Sequence, residues 1–462
     1  MRYVSTRGAA PILDFQAATL AGLASDGGLY VPEAWPRFSE AEIAAMAGRS
    51  YVEVAVRVCA PFTAGALDEA ALRDVFTRAY GRFAHAAVVP LKQLDHRHFL
   101  LELFHGPTLA FKDVALQSLG LLFERFLGQS GQHITVIGAT SGDTGSAAID
   151  ALAGRSGVEV CMLHPHGRVS EVQRRQMTTV LDANIHNIAI DGNFDDAQAI
   201  VKAMFNDAAF AARFPLAAVN SINWARLLFQ VVYYFTSALS LGAPHRAVSY
   251  AVPTGNFGDV FAGYVAAQMG LPIERLVVAT NRNDILHRAL TSGDYSAGTV
   301  APTDAPSMDI QVSSNFERLL FDLSGRDAAA LAAAMAEFEA TKKLALPQAW
   351  LAKADLFTSA RVDADEMADT MRWALANTGE LLDPHTAIGL AAARRDSGTA
   401  PMVTLATAHP AKFPAAVAAA TGVHPDLPAR LADLMTRPER YDIAPANLQA
   451  IEAYVAQRAK AK

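Results

Sequence analysis

The sequence contains little cysteine, no long apolar run and no long run of basic residues. Of its 462 residues only Cys59 and Cys161 are cysteines, which excludes the disulfide framework that small secreted proteins use. Hydrophobic residues make up 52% of the chain, yet no apolar run reaches the ~18 residues that a membrane span needs. The formal net charge is −7, which argues against nucleic acid or an anionic membrane as the main partner.

Targeting and metal signals are also missing. Residues 1–10 carry charges but no apolar segment of a secretory signal, so we expect a protein of the reducing cytoplasm. No cluster of cysteine and histidine has metal-ligand spacing, and no metal site is expected. The nearest approach, His164-Pro165-His166, is more simply interpreted as a loop after a strand.

The order of apolar segments and glycine turns predicts an α/β protein. Residues 1–95 carry a mainly amphipathic helical pattern, and from about residue 99 strand, glycine turn and helix alternate, as in parallel α/β units. We expect two open, mostly parallel α/β sheet domains after a helical N-terminal region. The predicted segments are 1–95, 96–240 and 241–462.

Further expectations concern the second half of the chain. Residues 295–310 are predicted to be a long loop or lid, and the alanine-rich residues 327–341 a helix. Residues 401–407 should form the last strand, and residues 425–462 C-terminal helices.

Lys112 stands at the first turn of a predicted helix, directly after a short apolar strand at 99–104. Lysine is uncommon there, because helix N-termini favour acids and the adjacent Leu109, Ala110 and Phe111 offer no counter-charge. A desolvated amine of lowered pKa could serve as nucleophile and base, as in a Schiff base with a pyridoxal aldehyde. The alternative is a lysine whose stem lies on apolar surface while its head stays in water.

Two glycine-rich loops follow other predicted strands and lead directly into helices. Residues 141–145 (SGDTG) and 254–259 (TGNFGD) can each present successive backbone N–H groups to an anion. Neither loop has the spacing of a nucleotide-binding fingerprint, and glycine at such a turn is often needed for backbone geometry alone. Together with Lys112, however, they are the parts that a pyridoxal phosphate site requires.

The sequence resembles the threonine synthases, within the fold-type-II pyridoxal-phosphate enzymes, and specifically their longer branch of bacteria and fungi. The resemblance covers nearly the whole chain and is carried by motifs in the family's order: YVSTRG, DGGLYVP, HGPTLAFKD, ATSGDTGSAA, NSINWARLLFQ, PTGNFGD, TNRND, SMDIQVSSNFERLLF and TAHPAKF.

The resemblance implies a role for each motif residue. Lys112 would form the Schiff base, Asp143 would lie near the cofactor's phenolic oxygen, and Thr407 would meet the pyridine nitrogen. The backbone of the second loop would hold the cofactor phosphate, through Gly255, Asn256, Phe257, Gly258 and Asp259. A carboxylate beside a phenolate places two negative groups in contact, so we expect Asp143 to share one proton with the cofactor.

The implied reaction converts O-phospho-L-homoserine and water into L-threonine and phosphate, the last step of threonine biosynthesis. Lys112 would remove the α proton and then a β proton, phosphate would leave, and water would add at the β carbon. Candidate ligands of the substrate are Ser141, Thr144, Asn223, Arg226, Ser314 and Lys412, with Arg282, Ser313 and Arg318 as further candidates by residue type. A surface or helix-capping contact is the alternative for each.

Two other functions stay open at this point. A threonine-synthase-like phospholyase would eliminate phosphate and release a 2-oxo acid instead of adding water. A nucleotide-binding or scaffolding α/β protein without cofactor would be expected to have lost Lys112 or the loop at 255–259, and both are intact. The chain is expected to be a monomer or a homodimer.

Overall fold

The computed structural model describes residues 1–218 and 221–459. Its β-strands are β1 (Tyr3–Ser5), β2 (Tyr30–Pro32), β3 (Leu91–Gln93), β4 (His98–Glu102), β5 (Ile134–Ala139), β6 (Val158–Pro165), β7 (Ile185–Asp191), β8 (Leu216–Ala217), β9 (Val248–Pro253), β10 (Ile273–Thr280), β11 (Phe357–Arg361), β12 (Met402–Ala406) and β13 (Asp442–Pro445).

The α-helices of the described residues are α1 (Phe15–Ala21), α2 (Glu40–Ala44), α3 (Tyr51–Thr63), α4 (Glu69–Tyr80), α5 (Lys112–Ser130), α6 (Asp143–Leu152), α7 (Glu171–Thr178), α8 (Phe194–Asn206), α9 (Ala208–Arg213), α10 (Trp224–Ser240), α11 (Gly258–Gln268), α12 (Ile285–Ser292), α13 (Phe316–Leu323), α14 (Ala328–Thr341), α15 (Gln348–Leu351), α16 (Ala364–Thr378), α17 (Pro384–Arg395), α18 (Pro414–Thr421) and α19 (Leu448–Ala456). Short 3₁₀ turns lie at Pro306–Met308, Pro410–Lys412, Ala429–Leu431 and Leu434–Thr436.

The chain forms two compact units, and each is assembled from separate stretches of sequence. The first unit contains Met1–Thr77, Phe83–His105 and Ser221–Pro425, and the second contains Arg78–Arg82, Gly106–Asn220 and Asp426–Lys462. The domain boundaries predicted at residues 95 and 240 are therefore not the boundaries of the compact units. The difference arises because parallel strands that pair need not follow one another in the chain.

The first unit is built on a six-stranded sheet with the order β11-β10-β9-β12-β4-β3. All its pairings are parallel except the one between β3 and β4. Every residue of β9 and β12 is buried, as expected for parallel strands covered on both faces. Helices α16 and α17 cover one face, where Met371 and Ile388 pack in the same apolar cluster as Ala251 of β9.

The N-terminal region belongs to this first unit, apart from Arg78–Arg82, and packs through aromatic side chains. The Trp224 indole donates a hydrogen bond to the Tyr3 hydroxyl, which donates in turn to the Phe62 carbonyl. The rings of Tyr3 and Phe62 both lie within 6 Å of the Trp224 ring. The N-terminal helices are thus part of the core around α10 rather than a separate layer.

The second unit contains a five-stranded, wholly parallel sheet with the order β13-β7-β6-β5-β8. Its core includes Ile137 of β5, Leu163 of β6 and Ile188 of β7, against Ala197 and Met204 of α8. β5 leads into α6 and β6 leads toward α7, so the polar residues that begin both helices stand at the carboxyl edge of one sheet.

Two predictions about strands are wrong. β4 pairs with β12 of the first unit, not with the strands that follow it in the chain, so residues 96–240 do not form one sheet domain. Residues 425–462 are predicted to form helices alone; α19 and two 3₁₀ turns do form there, but β13 also adds a strand to the edge of the second unit's sheet. The predictions of α5 from Lys112 and of a helix at 327–341 are confirmed, the latter by α14.

No helix of the described residues, 1–218 and 221–459, combines the length and the apolar character that crossing a membrane requires.

Candidate functional site

Lys112 is the first residue of α5 and is buried, with 7% of its surface exposed. The turn before it is closed by Asp113, whose carboxylate accepts hydrogen bonds of 2.7 Å from both the backbone N–H and the hydroxyl of Thr108. Leu109 takes a left-handed φ of 66° within this turn. Gly106 has no room for a side chain, since a Cβ there would lie 2.4 Å from the Cβ of Asp113.

The interpretation of Lys112 as a lysine with its head in water is wrong. Its side chain is 9% exposed, and its Nζ lies 3.5 Å from Oδ2 of Asp143, which is also buried. The Nζ also stands 4.9 Å from the centre of the Phe111 ring. The counter-charge that Leu109, Ala110 and Phe111 do not offer is supplied by Asp143 at the start of α6, while the carboxylate of the adjacent Asp113 is bonded to Thr108.

Asp143 is held at the beginning of α6 by the loop before it. Gly142 adopts a φ of 141°, and the Thr140 hydroxyl accepts hydrogen bonds from the N–H groups of Gly142 and Gly145. A carboxylate in the first turn of a helix is favoured by the helix dipole. Ser141 of the same loop is exposed and Thr144 is half-buried.

Gln173 of α7 is a neighbour of this pair that the sequence reasoning missed. Its Nε2 donates a 2.8 Å hydrogen bond to Oδ1 of Asp143, and the Ser170 hydroxyl bonds its Oε1 at 2.9 Å. A Cβ on Gly142 would lie 2.4 Å from Cδ of Gln173, so the glycine makes room for this amide. The local sequence carried no signal, because only the pairing of β5 with β6 brings α6 and α7 together.

The predicted phosphate loop lies in the first unit, between β9 and the N-terminus of α11. The Gly255 carbonyl accepts from the Ser313 hydroxyl at 2.7 Å, and the Asn256 carbonyl accepts from the N–H and the side-chain amide of Asn315. Because these carbonyls are bound from the α13 side, the loop keeps a defined shape. Phe257 precedes the helix with a left-handed φ of 60°.

The side chain of Asp259 is directed toward α10. Its Oδ1 accepts from the hydroxyls of Tyr233 and Tyr234, and burial raises the pKa of both tyrosines well above their usual value. Both phenols therefore stay protonated donors. What the start of α11 can offer an anion is its backbone, since the first N–H groups of a helix have no intrahelical acceptor.

Thr407 directly follows β12, which pairs with β9, so it stands at the same carboxyl edge as the phosphate loop. It is buried, and its backbone N–H donates to the Thr386 hydroxyl at 3.2 Å. The structure thus places Thr407 and the loop at 255–259 at one edge of the first unit's sheet, and it brings Lys112 next to Asp143 in the second unit.

The donor sets in the two units fit pyridoxal phosphate. A buried primary amine with an acidic neighbour suits the aldehyde, and a glycine-bearing helix N-terminus suits the phosphate. Gly255 has no space for a side chain, because a Cβ there would lie 2.5 Å from the Ser307 carbonyl oxygen.

The candidate substrate ligands fall into different environments. Asn223 caps α10 through its Oδ1 and donates to the Thr19 carbonyl at 2.8 Å, which favours the capping interpretation. Arg318 is buried against the Trp224 ring and donates to the carbonyls of Tyr30 and Ile222, so its role is structural.

Arg226 and Lys412 are both buried, and burial lowers the pKa of Arg226 to about 10. Ser314 is half-buried, and Arg282 is exposed. Their roles in substrate binding stay predictions. Asn220, the first residue of the NSINWARLLFQ motif, lies outside the described residues.

Three family models match this chain in succession. The threonine synthase N terminus matches residues 2–80, the pyridoxal-phosphate dependent enzyme family matches residues 85–354, and the threonine synthase C-terminal family matches residues 386–455.

Individual relatives match over almost the full length. The threonine synthase of Pseudomonas aeruginosa is 56% identical over 461 residues, covering 99% of this chain and 98% of its own. A crystal structure of pyridoxal-phosphate-bound threonine synthase from Brucella melitensis is 56% identical, with a TM-score of 0.98 and 99% of both chains covered. That of yeast threonine synthase is 39% identical, with a TM-score of 0.94 and coverage of 99% and 98%.

Proposed function

The chain belongs to the threonine synthase family, and on that basis we propose that it converts O-phospho-L-homoserine and water into L-threonine and phosphate. It is a pyridoxal-phosphate-dependent lyase of fold type II that serves threonine biosynthesis. The observation that carries the proposal is the buried Lys112 amine, 3.5 Å from the Asp143 carboxylate, in a chain that matches threonine synthases from end to end.

We assign the cofactor contacts as follows. Lys112 would carry the cofactor, the backbone of residues 255–259 would bind its phosphate, Thr407 would meet its pyridine nitrogen and Asp143 would lie by its phenolic oxygen. Bound pyridoxal phosphate supplies a conjugated ring that takes up the electrons left when a proton is removed beside the substrate nitrogen. A threonine hydroxyl does not keep the pyridine nitrogen protonated as an aspartate would, which suits elimination and replacement chemistry.

Lys112 moves the protons. Its Nζ would take the α proton, give that proton up and then take a β proton, so that phosphate could leave from the γ carbon as a stable anion. The γ carbon would then be reprotonated, and water would add at the β carbon. The surroundings of Lys112 favour this role because two effects oppose each other. The Asp143 carboxylate stabilises the ammonium formed at each transfer, and the apolar surroundings disfavour the same ammonium, so that the amine can both take up and release a proton.

The substrate phosphate requires donors of its own. We propose that these come from among Ser141, Thr144, Arg226, Ser314 and Lys412, since the side chain of Asn223 caps α10 and bonds the Thr19 carbonyl. Charge-assisted hydrogen bonds to a phosphate contribute on the order of 1.5 to 3 kcal/mol each. Unphosphorylated homoserine should therefore react orders of magnitude more slowly than O-phospho-L-homoserine.

The test is an assay that follows phosphate, threonine and 2-oxobutyrate together, with homoserine as the control substrate. Equal release of phosphate and threonine supports the synthase. Phosphate accompanied mainly by 2-oxobutyrate would identify a phospholyase instead, and a purified protein without a visible absorption band would argue for a cofactor-free protein.

We place the enzyme in the cytoplasm as a monomer or homodimer. The cytoplasmic assignment is supported by Cys59 and Cys161, which are both buried and unpaired with one another, as is usual in a reducing compartment.

A further inference from the structure

Asp383 is a fully buried carboxylate that caps the N-terminus of α17. Its Oδ1 accepts from the backbone N–H and the ring Nδ1 of His385, at 2.9 and 2.8 Å. Its Oδ2 accepts from the backbone N–H of Thr386 at 3.3 Å and from the Thr386 hydroxyl. A buried carboxylate requires such donors, but helix capping alone would need only the backbone ones.

The two side-chain donors each continue to a further residue. His385 Nε2 accepts the backbone N–H of Ser307 at 3.2 Å, and the Ser307 carbonyl is the group that packs against Gly255 of the phosphate loop. The Thr386 hydroxyl accepts the backbone N–H of Thr407 at 3.2 Å. One carboxylate therefore connects to both elements that we assign to the cofactor in this unit.

The direction of every hydrogen bond in this network depends on the carboxylate being an acceptor only. The Ser307 N–H can only donate, so His385 Nε2 must accept and Nδ1 must carry the ring proton, which it gives to Asp383. The Thr386 hydroxyl likewise gives its proton to Asp383 and keeps a lone pair for Thr407. An asparagine would place an amide donor against one of these donors.

We propose that Asp383 is a positioning residue for cofactor binding, which orients Thr407 through Thr386 and holds the Ser307 segment against the phosphate loop through His385. The proposal rests on the proposed function, because it takes Thr407 and residues 255–259 as cofactor contacts.

The first experiment measures the dissociation constant of pyridoxal phosphate from the full-length protein by the visible absorption band. The Asp383→Asn variant should raise this constant about tenfold or more, since hydrogen bonds are lost in both branches. The Thr386→Val variant should raise it roughly two- to tenfold, and Thr386→Ser, which keeps the hydroxyl, should restore the wild-type value.

A second ligand, pyridoxal, separates the path from Asp383 through His385 to the phosphate loop from the path through Thr386 to Thr407. Pyridoxal lacks the phosphate and so does not use the phosphate loop. The His385→Asn variant keeps a donor for Asp383 but loses the acceptor for Ser307. It should therefore weaken the binding of pyridoxal phosphate more than that of pyridoxal. Thr386→Val should weaken both equally. Thr404→Val is the matched control, because the Thr404 hydroxyl is buried in β12 without a hydrogen-bond partner among the described residues, and it should leave both constants unchanged.

Three outcomes would overturn the proposal. The first is a wild-type constant in Asp383→Asn whose melting temperature is lowered, which would make Asp383 a helix cap only. The second is a wild-type constant in Asp383→Asn whose melting temperature is also unchanged. The third is an equal effect of Thr386→Ser and Thr386→Val on the constant. Failure of the proposed function looks different. In that case Thr407→Val itself would leave the dissociation constant of pyridoxal phosphate and the absorption band unchanged. If Thr407→Val changes the constant but Thr386→Val does not, only the present inference is contradicted.

Discussion

The side-chain amide of Gln173 donates a 2.8 Å hydrogen bond to Oδ1 of Asp143, whereas Oδ2 of the same carboxylate lies 3.5 Å from Nζ of Lys112. The Ser170 hydroxyl bonds the amide oxygen of Gln173, which orients the amide with its Nε2 toward Asp143. Because Oδ1 already accepts the Gln173 amide, we expect the proton that Asp143 shares with the cofactor to be on Oδ2.

Replacing Gln173 by glutamate tests this relationship. The Gln173→Glu variant should retain cofactor, but the pH midpoint of its visible band should rise by about one unit, because a second carboxylate near Asp143 favours the protonated state. Gln176→Glu is the matched control. It lies on the same helix, and its amide donates to the Thr108 carbonyl instead of Asp143. Equal midpoints in Gln173→Glu and wild type would contradict the prediction.

The Asp143→Asn variant should also keep its cofactor, while the pH midpoints of the absorption band and of turnover move down. Removing the negative charge 3.5 Å from the Lys112 amine makes the protonated state less favourable. Spectrophotometric and kinetic pH titrations measure both midpoints. Profiles that superimpose on those of the wild type would mean that Asp143 does not interact with the titrating group.

Lys112→Ala should abolish turnover, because nucleophile and base are lost together. Borohydride reduction of the wild-type protein should fix the cofactor onto Lys112, as read by mass spectrometry of a digest. Lys202→Ala, which removes an exposed lysine of α8, serves as the control and should keep full activity. A reduced adduct on another lysine would refute the assignment.

Gly255→Ala should weaken pyridoxal phosphate binding, because the new Cβ would lie 2.5 Å from the Ser307 carbonyl oxygen and must displace the loop. Gly128→Ala is the control. Gly128 lies in α5 with open space around it, and alanine there should stabilise the helix by up to about 1 kcal/mol. Cofactor affinity and thermal melting of both variants give the comparison, and unchanged affinity in Gly255→Ala would count against the phosphate loop.

The ionised carboxylate of Asp396 is expected to stabilise the folded protein, and this stabilisation should be lost in acid. Burial opposes ionisation of its carboxyl, but hydrogen bonds from Arg275, the Gly398 N–H and Arg97 outweigh it and lower its pKa. A carboxyl whose pKa is lower in the folded than in the unfolded state stabilises the protein above its unfolded pKa, and this stabilisation is lost as pH falls through the folded value. Asp396→Asn should lower the free energy of unfolding by about 3 kcal/mol at pH 7, since it removes one partner of a mostly buried ion pair.

Chemical denaturation at neutral and acidic pH measures this effect. The difference between wild type and Asp396→Asn should shrink below about pH 4, where the wild-type carboxyl begins to be protonated in the unfolded chain. A difference that is constant across this range would show that the ionised form of Asp396 is not what stabilises the fold. Asp369, on the exposed face of α16, offers a control substitution to asparagine.

The local pattern of residues was sufficient for the features that depend on neighbours in the chain. Lys112 begins a helix because an apolar strand, a glycine-proline break and a helical period follow one another. The loop at 254–259 lies between a buried strand and a helix for the same reason. The family's motifs, which are also local, were enough to identify the reaction and the cofactor.

Only the tertiary structure decided which distant residues meet. β4 joins the sheet of the first unit, and β13 joins that of the second. Strand pairing depends on burial and on the geometry of the crossover connections, and the periodic pattern of apolar residues within one segment contains no information about either. Gln173 reaches Asp143, and Asp383 reaches Thr407 through Thr386, only after their sheets have formed. The sequence alone thus determined the chemical groups of this enzyme, whereas the fold determined how their hydrogen bonds are oriented.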